Sequence, residues 1–351
     1  MKRVSVFTFC TWTSIGSILQ SLGMKKALTQ IGCQSTILLP ENANGFVFTK
    51  VHSLKSLISR SFQMMIHRKR MSAYRKRCGF MENHLDVEYY RDREDLEEKV
   101  RKNAGCCLAG SDQIWNPDLC DRSFFLDISA ASKRISYAAS MGKTKIPEEN
   151  AERIKRYLDR FDRISVRELE CKAALQKLTD REISVHIDPV FLVKAEDWRR
   201  LEETYPVREP YILLYMIYWD DSCREQVREL KRRTGLPVYA VCSALSRVYA
   251  DKYLFDVGAE EFLWLVDHAE YVITSSFHGA AFATIFNKKF AAVVNPALPS
   301  RMENLLRTLE IPHISIGQLD TAEDFDYRAV NERIAHQRIT ALAYLEESTA
   351  V

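Results

Sequence analysis

Two serines and a histidine lie between an apolar strand and a helix in the segment Thr274-Ser275-Ser276-Phe277-His278-Gly279. The first N–H groups of a helix have no partner within it, so a helix start at Ser275–Gly279 is suited to binding an anion. An imidazole beside such a pocket can transfer protons near neutral pH. The alternative is structural: Ser275 or Ser276 caps the helix, and His278 packs against its first turn.

Four further polar groups follow predicted strands. They are Ser14-Ile15-Gly16-Ser17, Gly110-Ser111-Asp112-Gln113, Ser140-Met141-Gly142-Lys143 and Arg167-Glu168. Parallel strands bring their carboxyl ends to one edge of a sheet, and ligands of such folds bind at that edge. We therefore predict that these groups contribute to one site.

Each of these groups also has a structural interpretation. Gly16 could only permit close packing of the first helix, and Ser17 could only cap it. Asp112 is either a helix cap or a general base. Arg167 could form a surface ion pair with a neighbouring glutamate, Glu168 or Glu170, but a guanidinium at a strand end is well suited to bind a carboxylate or phosphate through two hydrogen bonds.

Strands and helices alternate along the chain in two series, which predicts parallel sheets with crossover helices. The predicted strands are Val4–Cys10, Ser35–Leu39, Cys106–Ala109, Arg134–Ala138 and Arg163–Val166 in the first series, and Tyr211–Ile217, Val238–Cys242, Tyr271–Thr274 and Phe290–Val294 in the second. A basic helical stretch and an acidic one, Glu88 to Lys99, follow the second strand. The sequence thus predicts an α/β fold with two doubly wound, Rossmann-like domains that face a cleft.

The predicted division places an N-terminal domain at residues 1–195, a C-terminal domain at 205–320 and a helical segment at 321–351. The charged segment from Val193 to Pro210 contains two prolines and is the predicted linker.

The composition is that of an ordinary globular protein, with 351 residues, 46% hydrophobic and 28% charged, and a net charge of +3. This charge and the lack of a recognition motif argue against nucleic-acid binding. Nine cysteines without metal-ligand spacing argue against zinc and indicate a reducing compartment. The start, Lys2-Arg3 before an apolar run, resembles a signal peptide, but its alternation predicts a first strand. With no apolar run long enough for a membrane span, we expect a cytoplasmic protein.

Three common nucleotide and hydrolase motifs are missing from the sequence. It contains no GxxxxGK[ST] loop, no GxGxxG after a strand and no GxSxG elbow. Nucleotide hydrolysis, dinucleotide chemistry and an α/β-hydrolase are therefore poorly supported.

A basic segment, His67 to Arg77, alternates cationic residues with methionine and tyrosine. Such a pattern can rest on an anionic membrane surface or meet a lipid-linked acceptor. The alternative, which the sequence favours, is a solvated helix whose charge is balanced by the acidic run that follows.

An ordered set of segments resembles the polysaccharide pyruvyl transferase family over nearly the whole chain. The set comprises Gly110-Ser111-Asp112-Gln113-Ile114-Trp115-Asn116, Ser136-Tyr137-Ala138-Ala139-Ser140-Met141-Gly142, Ile164-Ser165-Val166-Arg167-Glu168, Asp188-Pro189 and Ser275-Ser276-Phe277-His278-Gly279. Any one of these is a weak signal, whereas their order is a strong one. The resemblance implies a two-domain fold similar to GT-B glycosyltransferases, and ketal pyruvyl transfer from phosphoenolpyruvate to a sugar without a metal or redox cofactor.

The resemblance also implies roles for individual residues. Arg167 matches the family's donor-binding arginine, and His278 matches its acid/base histidine. Many members carry an arginine where this chain has Ser276, and Arg301 or Lys143 are the candidates to replace that charge. The family's first loop often reads Asn-Tyr-Gly, where this chain has Ser14-Ile15-Gly16.

The implied chemistry assigns the remaining candidates. The helix start with Ser275, Ser276 and Gly279 would take the donor phosphate, and Asp112 would activate an acceptor hydroxyl. We expect the N-terminal domain to hold the saccharide acceptor and the C-terminal domain the donor, with Gly16, Ser17, Ser111, Gln113 and Ser140 as the acceptor-side or loop candidates. Two alternatives are a glycosyltransferase that uses a nucleotide sugar and a non-catalytic sugar-binding protein of the same pathway.

Overall fold

The computed structural model describes residues 2–41, 57–118, 120–219, 221–242, 249–295, 300–323 and 325–350, without the side chains of 57–64 and 300. Within this part of the chain, two five-stranded parallel sheets confirm the prediction of two doubly wound halves.

The first half is built on a sheet with strand order β3-β2-β1-β4-β5. Its strands are β1 (Lys2–Phe7), β2 (Cys33–Pro40), β3 (Val87–Tyr90), β4 (Cys106–Ala109) and β5 (Lys133–Ser136). Its helices are α1 (Ile15–Gln30), α2 (Leu57–His84), α3 (Arg93–Lys102), α4 (Glu148–Leu158) and α5 (Leu169–Leu175). Two short parallel strands, β6 (Ile164–Val166) and β7 (Ile183–Val185), extend this half through isolated bridges from residues 135 and 139 to 163 and 166.

The second half repeats this topology with the strand order β10-β9-β8-β11-β12. Its strands are β8 (Ile212–Tyr215), β9 (Val238–Val241), β10 (Lys252–Leu254), β11 (Tyr271–Thr274) and β12 (Phe290–Ala292). Its helices are α6 (Ala195–Arg199), α7 (Asp221–Thr234), α8 (Ala259–Asp267), α9 (Phe277–Ile285) and α10 (Ser300–Leu309), followed by α11 (Tyr327–Thr349). Strands β8 and β11 are central, so each is nearly fully buried.

Four elements differ from the sequence-based prediction. The acidic stretch begins as the edge strand β3, because Tyr89 and Tyr90 favour a strand and pair with β2 before the helix starts. Strands β7 and β10 were not predicted, since runs of three residues carry little periodicity. The predicted linker contains α6, whose Trp198 is fully buried against the ring of Phe282.

The last helix, α11, returns to the first half of the molecule. The hydroxyl of Tyr344 donates to the carbonyl of Ser136, and Arg338 donates to the carbonyl of Phe191 at 3.0 Å. The chain therefore crosses between the two halves twice, and α11 ties the second half to the first. Among the described helices, none is long and apolar enough to cross a membrane.

Candidate active site

The loop between β11 and α9 is fixed by its two serines. Ser276 is the N-cap of α9 and its hydroxyl accepts from the N–H of Gly279 at 3.4 Å. The hydroxyl of Ser275 accepts from the N–H groups of Ile217 and Tyr218, both at 2.8 Å, in the loop after β8. The capping interpretation is therefore right for Ser276, and Ser275 anchors a neighbouring loop.

The imidazole of His278 is 95% buried where α9 meets α1 of the first half. A Cβ atom placed on Gly16 would lie 2.3 Å from the Nδ1 of His278, far inside van der Waals contact. Gly16 thus permits close packing, as its structural interpretation predicted, and the side chain that packs against it is that of His278, the candidate acid/base group. On the other side, Nε2 of His278 lies 3.8 Å from a carboxylate oxygen of Asp188.

Arg167 is the most enclosed cation of this region, with 3% of its surface exposed. Its Nε donates to Glu168 at 3.0 Å, and its Nη1 donates to Asp188 at 2.6 Å. Its guanidinium also stacks on the ring of Phe277, 4.1 Å from the ring centroid. This contact joins the first half to the second. The structural interpretation of Arg167 was a surface ion pair. The structure instead shows a buried ion-pair network at the carboxyl ends of β6 and β7.

Arg301 approaches the same ring from α10. Its guanidinium carbon lies 5.4 Å from the centroid of Phe277, and its Nη2 lies 3.7 Å from the Oδ1 of Asp112. Asp112 follows β4 and also accepts from the N–H of Gln113 at 2.8 Å. Asp112 is thus a cap and an ionic partner at once. The structure brings Arg301 to the site, whereas Lys143 forms an exposed ion pair with Asp118.

Helix α10 makes further contacts with the first half. The side-chain amide of Asn304 donates to the carbonyl of Arg167 at 3.2 Å and accepts from the N–H of Leu169 at 3.4 Å. Arg307 pairs with Glu170 at 2.6 Å. With the Arg301–Asp112 contact, these bonds hold the second half against the first directly over the site.

The charges of the cluster shift the pKa values of its members in opposite directions. Burial lowers the pKa of His278, and Arg167 and Arg301 lower it further, against the pull of two carboxylates. Burial opposes ionisation of Asp112, but Arg301, His278 and Arg167 bring its pKa below the usual value. Burial also disfavours the charge of Arg167, yet Glu168 and Asp188 raise its pKa above the ordinary one. At neutral pH the site therefore holds two guanidinium ions, ionised Asp112 and a largely neutral imidazole.

Three buried nitrogen atoms of the cluster lack a hydrogen-bond partner among the described residues. They are Nη2 of Arg167, Nε2 of His278 and Nε of Arg301. Buried polar atoms in folded proteins are nearly always paired, so three unpaired nitrogens in one cluster indicate a place where a ligand supplies acceptor oxygens.

The other predicted residues surround this cluster and support it. Ser111 donates to Asp188 at 2.9 Å, and Ser140 donates to Glu168 at 2.8 Å. Ser17 lies in the first turn of α1, whose cap is Ser14, and it donates to the carbonyl of Ser14 at 2.9 Å. The remaining candidates are also held in place, since a Cβ on Gly142 would contact Gln113 and a Cβ on Gly279 would contact Thr274.

Sequence reasoning assigned no role to three residues of the cluster, namely Asp188, Phe277 and Asn304. Asp188 follows β7, and recognising that short strand would have placed its carboxylate at the same sheet edge as Arg167. Phe277 and Asn304 act across the two halves, and a contact of that kind leaves no local sequence signal.

A group of potential metal ligands lies elsewhere in the described residues. Carboxylate oxygens of Glu202 and Asp267 and a ring nitrogen of His268 lie within 4.8 Å of one another. Burial and the neighbouring Asp267 raise the pKa of Glu202 to about 7. Arg199 binds Asp267 through two bonds of 2.8 and 3.1 Å, so the cation of this group is a guanidinium.

The comparisons with known proteins agree with this geometry. The family model of polysaccharide pyruvyl transferase matches residues 15–296. No curated protein matches the chain in sequence. Among solved structures, the chain is similar to a UDP-GlcNAc 2-epimerase from Neisseria meningitidis, with 11% identity, a TM-score of 0.52 and coverage of 100% of this chain and 94% of that one. It is also similar to Alr3699/HepE from Anabaena, solved with UDP and glucose, with 10% identity, a TM-score of 0.52 and 99% coverage of both chains. These similarities confirm the predicted GT-B-like fold.

Proposed function

The chain belongs to the polysaccharide pyruvyl transferase family, and on that premise we propose that it transfers pyruvate from phosphoenolpyruvate to a saccharide as a cyclic ketal. The observation that carries this proposal is the set of three unpaired nitrogens on Arg167, His278 and Arg301. Phosphoenolpyruvate carries a carboxylate and a phosphate, and together they offer enough acceptor oxygens for all three nitrogens. The product belongs to the biosynthesis of a bacterial cell-surface polysaccharide.

The two arginines differ in how firmly they are held. Arg167 has two short bonds to carboxylates and stacks on Phe277, so it is a fixed donor-binding group. Among the described residues, Arg301 makes one ionic contact, 3.7 Å to Asp112, and approaches the ring of Phe277 at 5.4 Å from its centroid. A donor phosphate can replace the ionic contact. Arg301 is therefore a better candidate than Lys143 to replace the arginine that many family members carry at the position of Ser276. When it turns to the phosphate, the pKa of Asp112 rises, because the cation that lowers it most has moved away.

The reaction forms two carbon–oxygen bonds at one carbon. The first bond forms by addition to the double bond, and the second forms by displacement of phosphate. The methylene carbon of the donor accepts a proton, and a sugar hydroxyl forms a bond to the adjacent carbon while it loses its own proton. A neighbouring hydroxyl then attacks the same carbon, phosphate departs with the carbon–oxygen bonding pair, and the second hydroxyl proton is released. Protons gained and lost balance when one hydroxyl proton replaces the proton delivered to carbon and the other leaves with phosphate.

His278 and Asp112 are the groups that can move these protons. Asp112, ionised and released from Arg301, accepts the proton of the attacking hydroxyl. His278 delivers a proton to the methylene carbon. Its pKa is lowered in the free protein, but a bound donor with several negative charges favours the imidazolium form, so donor binding itself charges this group.

Calorimetry with phosphoenolpyruvate tests the donor assignment. We expect saturable binding that Arg167→Lys and Arg301→Gln each weaken by about 10- to 100-fold, which is the loss expected for a charge-assisted hydrogen bond. Arg328→Gln is the matched control, because Arg328 is 87% exposed and its loss should leave binding unchanged. Arg167→Lys keeps the buried charge, so Asp188 and Glu168 retain a partner and the fold is preserved.

Binding of a nucleotide sugar with no binding of phosphoenolpyruvate would refute the proposal and select the glycosyltransferase alternative. That alternative is supported by the relative from Anabaena, whose structure holds UDP and glucose in the same fold. Donor binding without turnover on any saccharide would instead select the non-catalytic alternative.

A further inference from the structure

The outward face of α2 carries a concentrated positive charge. Arg68, Arg70 and Arg75 are exposed, and with Met71 and Tyr74 they form what we call the basic face of α2. Arg68, Met71 and Arg75 follow one another at three and four residues and therefore share one side of the helix, whereas Arg70, which is also exposed, lies with Tyr74 at the flank of this side. Ile66, Ala73, Arg77 and Phe80 are buried on the opposite side.

The segment of α2 that carries this charge contains no acidic residue. The sequence contains no aspartate or glutamate from residue 57 to residue 81. Within the described part of the chain, the structure shows no ion pair for Arg68, Arg70 or Arg75. Lys76 and His84 do pair, with Glu261 and Glu260, but these contacts attach α2 to α8.

The acidic run that follows α2 does not neutralise the basic face. Four of its carboxylates pair with neighbouring cations, in the ion pairs Arg91–Asp95, Arg93–Glu97, Lys99–Glu88 and Lys102–Glu98, and no ion pair among the described residues joins the run to the basic face. The sequence favoured an acidic run that balances the charge of the basic helix. In the structure this run pairs with cations in and next to β3 and α3, and it does not pair with the arginines of the basic face.

The basic face also adjoins the loop that leads to the cleft. Arg77 donates to the carbonyl of Trp12 at 3.2 Å and to the carbonyl of Val257 at 3.0 Å, which fixes α2 to both halves. The ring of Tyr74 packs edge-on against Trp12, with centroids 5.0 Å apart. Trp12 lies in the loop between β1 and α1, two elements that border the site through Gly16.

We propose that the basic face of α2 docks the protein on an anionic lipid surface. Guanidinium groups attract acidic headgroups, and the half-exposed Met65, Met71 and Tyr74 between them can enter the headgroup boundary. A nucleic acid is the poorer partner, because these side chains do not form a groove that follows a phosphate backbone. Docking would hold the mouth of the cleft near a lipid-linked saccharide. This benefit for catalysis rests on the proposed function, whereas the docking on lipid does not.

Vesicle sedimentation of the purified full chain tests the proposal. The probes are phosphatidylcholine vesicles and vesicles in which phosphatidylglycerol replaces part of the phosphatidylcholine. We expect binding to the anionic vesicles alone, weakened by salt. The triple variant Arg68→Gln/Arg70→Gln/Arg75→Gln should bind roughly 100-fold more weakly, at about fivefold for each charge removed.

The matched control is Arg200→Gln/Arg232→Gln/Arg328→Gln, which removes the same charge from three highly exposed positions elsewhere. It should bind anionic vesicles like the wild type. Equal losses in the two variants, or equal binding to both kinds of vesicle, would overturn the proposal, and so would binding to an oligonucleotide but not to vesicles. Donor binding measured on the same variants separates this outcome from a failure of the proposed function, since the basic face lies outside the arginine cluster.

Discussion

The two sheets share one topology, yet their equivalent loops do different work. Strands β4 and β11 occupy the same place in their sheets, next to the first strand of each half, where the strand order reverses. The loop after β4 carries Asp112 three residues beyond the strand, and the loop after β11 carries His278 four residues beyond it. Because the halves face each other, equivalent positions meet across the cleft, and the acid–base pair that we propose comes from two copies of one topology.

The two loops aim their side chains by different means. Asp112 has φ 72° and ψ −178°, a backbone region that residues other than glycine rarely adopt, and a short 3-10 turn follows it. The loop after β11 uses an ordinary extended residue, Ser276, to start a fully buried helix. The first loop thus stores backbone strain to direct a carboxylate, and the second uses a helix start to position an imidazole without strain.

The largest expected effect separates the two loops by their chemistry. His278→Gln should lower turnover by roughly 100- to 10,000-fold, because glutamine keeps the polar volume but cannot transfer a proton. Asp112→Asn should lower turnover by less, roughly 10- to 100-fold, because the attacking hydroxyl of the sugar can also lose its proton to water. Steady-state kinetics with the acceptor measures both effects.

Donor binding by calorimetry is the control for these two variants. It should change little in Asp112→Asn, and in His278→Gln it should fall far less than turnover, because only the hydrogen bond from Nε2 is altered. Near-normal turnover of His278→Gln would show that the helix start serves packing alone, and the comparison between the loops would then lose its catalytic meaning.

A second effect tests whether stability and activity depend on the contact between the two halves at Gly16 and His278. Gly16→Ala places a methyl group 2.3 Å from Nδ1 of His278, so we expect a loss of roughly 1–3 kcal/mol in unfolding free energy and a fall in kcat larger than any change in donor affinity. Gly79→Ala in α2 is the matched control, since nothing lies within 4 Å of its added Cβ and alanine favours a helix by about 1 kcal/mol. Chemical denaturation and kinetics on both variants give the result. A Gly16→Ala protein as stable and active as the wild type would mean that His278 can move without cost.

The sequence predicted the sheets well because each buried parallel strand is a local apolar run with a helix after it. Strands Cys106–Ala109 and Tyr271–Thr274 have the predicted bounds. The loops after β4, β5, β6 and β11 were also predicted to contribute to one site, since topology alone brings their strand ends together. What the sequence could not show is pairing between the halves, such as Arg167 on Phe277 or Asn304 on the carbonyl of Arg167. Those contacts depend on how two sheets face each other, which no local pattern records.

A third effect follows from the lowered pKa of His278. In the free protein the imidazole is mostly neutral near pH 7, and a bound anion raises its pKa toward or above the ordinary value of 6.5. Donor binding should therefore take up a fraction of a proton between about pH 6 and 7, and His278→Gln should abolish that uptake. Calorimetry in buffers with different ionisation enthalpies measures the proton number. Proton release, or uptake that persists in His278→Gln, would assign the titrating group elsewhere.

The smallest effect measures the strain itself. Asp112→Gly and Asp112→Ala both remove the carboxylate and leave Arg301 without its partner, so these losses cancel when the two variants are compared. Glycine tolerates the backbone of residue 112 and alanine does not, so the glycine variant should be more stable by about 1–3 kcal/mol. At Ser276, where the backbone is ordinary, the same comparison should give a gap of about 1 kcal/mol or less, from the capping preference alone. Equal gaps at the two positions, in denaturation experiments, would mean that the loop after β4 is unstrained. A larger gap at residue 112 would mean that the fold gives up stability to keep a carboxylate aimed at the cleft, a cost that only a function of Asp112 explains.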